Sequence, residues 1–337
     1  MKKYLGHLPE SDPLYSYLQY EIQPQLTGFL PRPVYRVFRL NASNAVYLYE
    51  ERHGGSRMIG KFFQVEGRDS ATAARKLGRE EHNLHLMRGL GLTAPPHYIA
   101  RPLGRNEALN KLLVIEFCQG ELLSALIRRA IREDDSRLLF DKLTALAWFL
   151  ADFHNRAADA GAHVDFAASC AYFDTLVARL LAEGVIGGAE AGELYFLRDR
   201  WREQPKMWQD RRVLAHGDAT PENFLFGNGV NVMSFDLERL RWTDRVFDTG
   251  RIAGELAHFF LEATGAAAAA EPFIGHFLWE YACHFPGREQ AFLATTRRVP
   301  FYMAMTFLRI ARNHWLPWEY RRRLARKGRK CLRGFAR

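Results

Sequence analysis

The stretch Val213–Arg251 holds the side chains whose types and spacing could do chemistry. A His-Gly-Asp triplet ends at Asp218, Asn223 follows in the same polar segment, and Asp236 ends the next apolar run. One carboxylate can take a proton, while an amide and a second carboxylate can hold magnesium. Phosphoryl transfer from ATP requires these groups, so the stretch predicts a site for that chemistry.

A predicted β-hairpin joins the amide to the second carboxylate. Apolar strand signals occupy Phe224–Phe226 and Val230–Phe235, and the Gly-Asn-Gly run between them is strong turn chemistry. An antiparallel hairpin brings its open ends together, so we expect Asn223 and Asp236 at the same end. There the two side chains could share one magnesium ion.

A lysine upstream has the setting of a nucleotide-binding residue. The third of three predicted strands, Met58–Val65, contains Lys61, and the helix predicted over Ser70–Leu90 carries two adjacent acidic residues. In kinase-type sites a lysine on the third strand contacts the ATP phosphates, and a glutamate on the following helix orients it. We choose Glu80 as that glutamate because it shares a helical face with the apolar Leu84.

The periodicity changes from strands to helices near residue 118, which predicts two lobes of different composition. Strand signals rich in β-branched and aromatic residues precede the change, and helical spacing dominates after it. We therefore predict an α+β fold, with a small antiparallel-sheet lobe containing one helix over residues 34–117 and a larger, mostly helical lobe over residues 118–315. Residues 1–33 contain five prolines and are interpreted as a lead-in segment, and residues 316–337 as a basic tail.

Apolar periodicity also predicts the bounds of individual elements. The predicted strands of the small lobe are Val34–Leu40, Ala45–Glu50, Met58–Val65 and Lys111–Phe117. The predicted helices of the large lobe are Leu122–Arg132, Arg137–Ala158, Cys170–Leu181, Glu190–Trp208, Asp244–Thr264, Pro272–His284 and Glu289–Arg312.

The net charge of +9 over 337 residues is concentrated in one segment. Residues 309–337 contain eleven lysines and arginines and one acid, so this segment carries +10 and the rest of the chain is close to neutral. We favour a solvated basic tail. Contact with an anionic membrane surface is the alternative, and the lack of a groove lined by aromatic residues argues against nucleic acid.

Cysteine usage and hydropathy indicate the compartment. Four scattered cysteines form no CxxC pair, which suggests free thiols in a reducing cytoplasm. The sequence predicts neither a transmembrane helix nor a signal peptide. We therefore expect a cytoplasmic protein, which would be peripheral to the inner membrane surface if the basic tail binds lipid.

Several motifs together resemble the aminoglycoside phosphotransferase/choline kinase-like family, which shares the protein-kinase-like fold. The resemblance covers residues 34–315. The motifs that carry it are Lys61, Gly78-Arg-Glu80-Glu-His-Asn-Leu84, Val114-Ile-Glu-Phe-Cys-Gln-Gly120, Leu150-Ala-Asp-Phe-His154, His216-Gly-Asp-Ala-Thr-Pro-Glu-Asn223, Ser234-Phe-Asp236-Leu-Glu238 and Phe247-Asp248. The turn Asn41–Asn44 between the first two strands departs from the family pattern because it has no glycine.

The resemblance implies which residues act at the reacting groups. Asp218 would orient or deprotonate the acceptor hydroxyl. Asn223 and Asp236 would hold Mg²⁺, and Lys61 and Glu80 would position the α- and β-phosphates of ATP.

Further residues take supporting roles in the same resemblance. The backbone groups of Glu116 and Cys118 would meet the adenine of ATP. Asp248 would brace the catalytic loop, His216 would support that loop by hydrogen bonding, and Glu238 would either touch a second metal or face solvent.

The activity implied is that of an ATP-dependent small-molecule kinase. It would transfer the γ-phosphate to a hydroxyl of an aminosugar, a sugar, a choline-like alcohol or a related acceptor. The run Phe235–Leu240 also resembles kinases of lipopolysaccharide core sugars, and together with the basic tail it makes a membrane-proximal glycolipid the alternative acceptor. The alternative from another class is a kinase-like binding protein without turnover, and the presence of all the key groups argues against it.

Overall fold

The computed structural model describes residues 2–40 and 45–336 of the chain, so the turn Asn41–Asn44 lies outside the described residues. The chain forms two compact units. The first unit contains residues 1–120 and 233–238, and the second contains residues 121–232 and 239–337. Within the described residues, none of the helices is long and apolar enough to cross a membrane.

The first unit is built mainly from short strands. Its strands are β1 (Lys3–His7), β2 (Tyr35–Arg39), β3 (Ala45–Glu51), β4 (Arg57–Phe62), β5 (Thr93–Ala94), β6 (His97–Ile99), β7 (Pro102–Asn106) and β8 (Leu112–Glu116). Its helices are α1 (Pro13–Tyr17), which continues into a π-helical turn (Leu18–Ile22) and a 3-10 turn (Gln23–Gln25), and α2 (Ser70–Gly89).

Six of these strands form one antiparallel sheet that holds Lys61. The strand order is β1-β2-β3-β4-β8-β7. Lys61 on β4 lies opposite Val46 on β3 and Leu113 on β8, so hydrogen bonding on both sides fixes its backbone. The neighbouring Gly60 leaves room for the ring of Tyr49, because a Cβ atom at Gly60 would lie 2.8 Å from that ring.

Helix α2 carries Glu80 on its buried face. The helix begins after Asp69, whose side chain accepts a hydrogen bond from the backbone N–H of Thr72 at 2.8 Å, as a good N-cap does. Leu77 and Leu84 are fully buried on this face, and Glu80 is 1% exposed. The apolar spacing of the helix therefore buries a carboxylate within the first unit.

Residues 1–33, which the proline content favours as a lead-in segment, contribute regular structure and core to the first unit. β1 pairs with β2, and the buried side chains of Leu14, Leu18 and Ile22 join the core cluster beneath the sheet. Proline does not prevent this, since Pro13 stands in the first turn of α1, where its missing N–H costs nothing.

The second unit is mostly helical, as the periodicity predicts. Its helices are α3 (Leu123–Glu133), α4 (Ser136–Arg156), α5 (Phe166–Ala182), α6 (Gly188–Arg202), α7 (Val246–Thr264), α8 (Glu271–Ala282), α9 (Arg288–Thr296), α10 (Val299–Ala311) and α11 (Trp318–Leu332). Its short strands are β9 (Glu121–Leu122), β10 (Ala158–His163), β11 (Arg211–Ala215), β12 (Phe224–Phe226) and β14 (Arg241–Thr243); β13 (Val232–Ser234) begins in the second unit and ends in the first.

The single helix predicted over Glu289–Arg312 is wrong, because the chain forms α9 and α10 with a break between them. Pro300 stands in the first turn of α10, where it cannot continue a preceding helix. Arg298 at the break is buried and donates to both carboxylate oxygens of Asp244 at 2.9 Å. The break therefore places a buried ion pair that a continuous helix would not make.

The basic segment 316–337 contains a packed helix, α11. Leu324 and Leu332 are fully buried, and the Arg321 guanidinium donates to the carbonyl of Ala311 at 2.6 Å. Arg329 and Arg333 pair with Glu193 of α6. The apolar face of α11 is difficult to recognise in the sequence because basic residues predominate there. Ion pairs within the second unit neutralise part of the positive charge of this helix.

Two glycines let α7 and α10 approach closely. A Cβ atom at Gly250 would lie 2.5 Å from Cβ of Tyr302, and one at Gly254 would lie 2.7 Å from Cβ of Thr306. Both distances are far below ordinary contact, so larger residues would push the helices apart. This close packing holds Arg251 of α7 beside α10.

Candidate active site

Lys61, Glu80 and Asp236 come together within the first unit. The Lys61 ammonium lies 2.5 Å from a carboxylate oxygen of Glu80 and 2.6 Å from one of Asp236. The side chain of Lys61 is 8% exposed and that of Asp236 is 28% exposed. Lys61 therefore links a buried carboxylate to one that solvent or a ligand can reach.

The backbone at Asp236 is held in an uncommon conformation. Its φ angle is 61°, in the left-handed region that only a few per cent of non-glycine residues adopt. The next residue is anchored, since the Asn83 side-chain amide donates to the carbonyl of Leu237 at 2.7 Å. Strained conformations of this kind concentrate at functional sites, which supports a functional role for Asp236.

A third carboxylate completes a group of hard oxygen donors. Glu80, Asp236 and Glu238 each offer one oxygen, and these oxygens lie within 4.8 Å of one another. Lys76 lies 3.7 Å from Glu238. Carboxylate oxygens are the ligands that Mg²⁺ takes in proteins, so this group fits a divalent cation.

The electrostatics of the cluster also favour an added cation. Burial raises the pKa of Glu80 to about 7, and the nearby Asp236 and Glu238 add to this effect against the attraction of Lys61. For Lys61, burial lowers the pKa, but the carboxylates of Glu80 and Asp236 outweigh it, so the ammonium stays charged. Three carboxylates face one buried ammonium, and a divalent cation would relieve that imbalance.

Glu116 and Cys118 lie at the end of the first unit, where its last long strand leaves the sheet. The backbone N–H of Glu116 donates to the carbonyl of Arg101 at 3.0 Å, while its carboxylate accepts from the N–H of Arg101 at 2.6 Å and from the hydroxyl of Tyr98. Within residues 2–40 and 45–336, the N–H of Cys118 makes no backbone hydrogen bond. The carbonyl of Glu116 and the N–H of Cys118 thus have the polarity to meet an adenine edge.

In the second unit, Asp248 holds the loop that contains Asp218. Its two carboxylate oxygens accept from the backbone N–H groups of His216 at 2.6 Å and Gly217 at 3.0 Å. Gly217 has a φ of +76°, and a Cβ atom there would lie 2.0 Å from the carbonyl oxygen of Arg239. Only glycine fits this position, so the loop conformation is tightly determined.

Asp218 is surrounded by arginines. Its Oδ1 accepts from Arg251 at 2.5 Å and from Arg309 at 2.8 Å, and its Oδ2 lies 3.6 Å from Arg239. Burial raises the pKa of Asp218, but the charges of Arg309, Arg251 and Arg239 outweigh it and lower the pKa to about 2. The carboxylate is therefore charged at any physiological pH.

Asn223 is positioned by the same loop. It ends a 3-10 turn, Pro221–Asn223, and is 7% exposed. Its side-chain N–H donates to the carbonyl of Asp218 at 2.8 Å, which directs its amide oxygen elsewhere. Asn223 belongs to the second unit and Asp236 to the first, and the magnesium ion shared by their side chains stays a prediction.

A fully buried histidine, His154, supports Asp248. Its Nε2 lies 3.1 Å from Asp248 and its Nδ1 lies 2.8 Å from the hydroxyl of Tyr281. Burial lowers the pKa of His154, so the neutral ring donates from Nε2 and accepts at Nδ1. Burial raises the pKa of Asp248, but the hydrogen bonds from His154 and from the backbone N–H of Gly217 contribute to lowering it overall.

These two pKa shifts predict that acid destabilises the second unit. The unfolded chain protonates histidine below about pH 6.5 and aspartate below about pH 3.9, while the folded state resists both protonations. Stability is therefore present at neutral pH and lost as the pH falls, first below the histidine value. The melting temperature should decrease from pH 7.5 to pH 5.5, and less steeply in His154→Gln. An equal slope in the variant would assign the effect to other groups.

Sequence reasoning missed Arg251 and Arg309. Arg251 lies one helical turn after Asp248, which is a local signal that could have been used. The charge count places Arg309 in the basic segment 309–337, yet its side chain is 14% exposed and bonds to Asp218. The basic bias of the chain therefore reaches the candidate site and is not confined to a tail.

A sequence model of the phosphotransferase enzyme family, APH, matches residues 34–284. Because this match covers well over half of the chain, the protein belongs to that family, as the motifs predict. None of the curated protein sequences searched matches the chain.

Solved structures share the fold at low sequence identity. The ADP-bound aminoglycoside phosphotransferase APH(2'')-Ib is 13% identical, with a TM-score of 0.56 and coverage of 96% of this chain and 97% of that one. Amicoumacin kinase hAmiN, in complex with AMP-PNP, Ca²⁺ and Ami, is 15% identical, with a TM-score of 0.57 and coverage of 94% and 91%. An ethanolamine kinase from Plasmodium vivax is 10% identical, with a TM-score of 0.58 and coverage of 88% and 82%. The predicted α+β, protein-kinase-like fold is confirmed.

Proposed function

We propose that the protein is an ATP-dependent kinase that transfers the γ-phosphate to a hydroxyl group of a small-molecule acceptor. The observation that carries this proposal is the cluster of Lys61, Glu80 and Asp236, in which a strand-borne lysine is held by a helical glutamate and a reachable aspartate. Phosphoryl transfer relies on positioning and on stabilising charge rather than on covalent chemistry. The cluster supplies both.

The first unit would bind the nucleotide. Lys61, oriented by Glu80, would contact the α- and β-phosphates, and its raised pKa keeps the ammonium charged. The carbonyl of Glu116 and the N–H of Cys118 would hydrogen-bond to the adenine. Solved relatives of this fold carry ADP and AMP-PNP, which supports a nucleotide as the phosphoryl donor.

Asp236 and Glu238 would hold Mg²⁺ in the first unit, and Asn223 is the further ligand predicted from its motif. When bound, the ion would neutralise charge on the phosphates and orient them. Glu80 stays with Lys61 in this assignment, because its carboxylate is buried and already accepts from the ammonium.

Asp218 would act on the acceptor. The hydroxyl oxygen of the acceptor forms a bond to the γ-phosphorus while the bond from that phosphorus to the β,γ-bridging oxygen breaks, and ADP leaves with the electron pair. The hydroxyl proton passes to the Asp218 carboxylate and then to water. A carboxylate whose pKa is about 2 is a weak base, so its main contribution would be to orient the hydroxyl and accept the proton late.

The acceptor belongs to the hydroxylated small molecules. Structural relatives act on or bind aminoglycosides, amicoumacin and ethanolamine according to their names, and an aminosugar, a sugar, a choline-like alcohol or a membrane-proximal glycolipid is compatible with the proposed chemistry.

An unbiased phosphorylation screen tests the proposal. The purified protein is incubated with Mg²⁺, γ-labelled ATP and a small-molecule cell extract, and labelled products are separated by chromatography. We expect at least one labelled product that is absent with Asp218→Asn, and a parallel reaction with γ-labelled GTP reports the donor preference. No difference between the two proteins, across the extract and a broad panel of alcohols, would contradict the kinase function.

A further inference from the structure

Three arginines lie around Asp218 within the second unit. Arg251 and Arg309 bond to its Oδ1, and Arg239 lies 3.6 Å from its Oδ2. Arg312, which follows α10, lies close to two of them, Arg309 and Arg239. This is far more positive charge than one carboxylate needs for orientation.

Arg312 has no partner that explains its charge. It follows α10 directly and is partly buried, and its side chain forms no ion pair or hydrogen bond within the part of the chain that the structure describes. Burial lowers its pKa against an opposing effect of Tyr172, and the charges of Arg309, Arg239 and Arg179 lower it further. A guanidinium placed among other guanidinium groups is costly unless an anion joins them.

Arg241 of β14 lies beside aromatic rings that border this group, one of which it shares with Arg251. Its guanidinium lies 5.1 Å from the ring centre of Phe247 and 6.0 Å from that of Tyr172, and Arg251 lies 5.3 Å from the same Phe247 ring. The Tyr172 hydroxyl is buried and has no hydrogen-bond partner among the described residues, and the same holds for Nε of Arg309.

The charge balance of the group is strongly positive. Besides Asp218, the buried Glu255 is the carboxylate that acts on both Arg251 and Arg309. Arg179 is already paired with Glu183 at 2.7 Å. Arg251 and Arg309 therefore face these two carboxylates, and the neighbouring Arg312 adds a guanidinium group whose side chain has no carboxylate partner among the described residues.

We infer that the acceptor carries negative charge: it is a hydroxylated compound, such as a sugar or polyol, that already bears a phosphate or carboxylate group. This inference rests on the proposed kinase function of Asp218. Guanidinium groups bind both kinds of anion in a bidentate manner, and an excess of positive charge repels ammonium groups. Polycationic aminosugars and choline-like alcohols are therefore disfavoured as acceptors.

Charge fractionation of the cell extract provides the first test. The extract is separated on an anion exchanger and a cation exchanger into anionic, neutral and cationic fractions, and each is assayed with labelled ATP. We expect acceptor activity in the anionic fraction. Phosphatase treatment of that fraction before the assay distinguishes a phosphate-bearing acceptor, whose activity is lost, from a carboxylate-bearing one, whose activity stays.

Kinetics of Arg312→Gln provide the second test. With the anionic acceptor, its KM should rise about 10- to 100-fold, as expected for losing a charge-assisted contact, while kcat and the KM for ATP stay close to wild type. Arg312→Lys should restore part of the affinity. The matched control is Arg322→Gln, which removes an exposed arginine of α11.

The outcomes separate this inference from the proposed function. Activity confined to the neutral or cationic fraction would overturn the anionic acceptor, and an unchanged KM in Arg312→Gln would overturn its recognition by Arg312; either result leaves the kinase function intact. Absence of Asp218-dependent activity from every fraction would overturn both.

Discussion

Asp236→Asn should lower kcat by about 10³-fold, because a bound metal ion contributes several kcal/mol to the stabilisation of the transition state. The substitution removes a metal-binding charge and keeps the shape of the side chain. Asparagine tolerates the positive φ that this position requires, and its amide oxygen can still accept from Lys61, which lies 2.6 Å from Asp236. We therefore expect a folded but inactive protein.

Magnesium titrations separate loss of metal from loss of fold. The melting temperature of the wild-type protein should rise with Mg²⁺, since a ligand that binds only the folded state stabilises it by about 2.7 kcal/mol at a hundred times its Kd. Asp236→Asn should lose this rise. The matched control is Asp69→Asn, which exchanges one good N-cap of α2 for another and should retain both the rise and the activity. A normal metal response in Asp236→Asn would contradict the assignment.

The part of the site that follows from local periodicity could be predicted from the sequence. Lys61 is placed by strand alternation and Glu80 by the buried face of α2, and the structure pairs them at 2.5 Å. The supporting role of Asp248 is likewise predicted from its motif, and its carboxylate accepts hydrogen bonds from backbone N–H groups of the Asp218 loop. In each case a short segment determines both the conformation of the backbone and the direction of the side chain.

The part that depends on packing between distant segments could not be predicted. Arg309 and Asp218 are 91 residues apart in the chain, and they meet because Gly250 and Gly254 let α7 and α10 approach. Neither glycine, seen in a single sequence, predicts that the two helices approach closely. The same limit explains Arg298, whose partner Asp244 lies in another element, and the core role of residues 14–22, whose apolar spacing is interrupted by polar residues and proline.

Asp218→Asn should lower kcat by about 10²- to 10⁴-fold, the range for loss of a positioned proton acceptor, with little change in the KM for ATP. The variant should also melt at a lower temperature. The pKa of Asp218 falls from an ordinary value near 3.8 to about 2 through its arginines, and that interaction contributes about 2 kcal/mol at neutral pH. Asp165→Asn, at the exposed N-cap of α5, is the matched control and should change neither quantity.

The pH dependence of kcat/KM distinguishes the role of Asp218 from that of an ordinary base. Because its pKa is about 2, Asp218 stays deprotonated over the whole range in which the protein is folded, so its protonation should cause no fall in activity between pH 8 and about pH 5. Arg251→Met removes one of the two hydrogen bonds to Oδ1, which raises the pKa of Asp218 and should introduce an acidic limb at higher pH than in the wild type. A variant profile identical to that of the wild type would show that Asp218 acts only by orienting the hydroxyl. The arginines around Asp218 would then bind the acceptor and would not tune the pKa of a catalytic base.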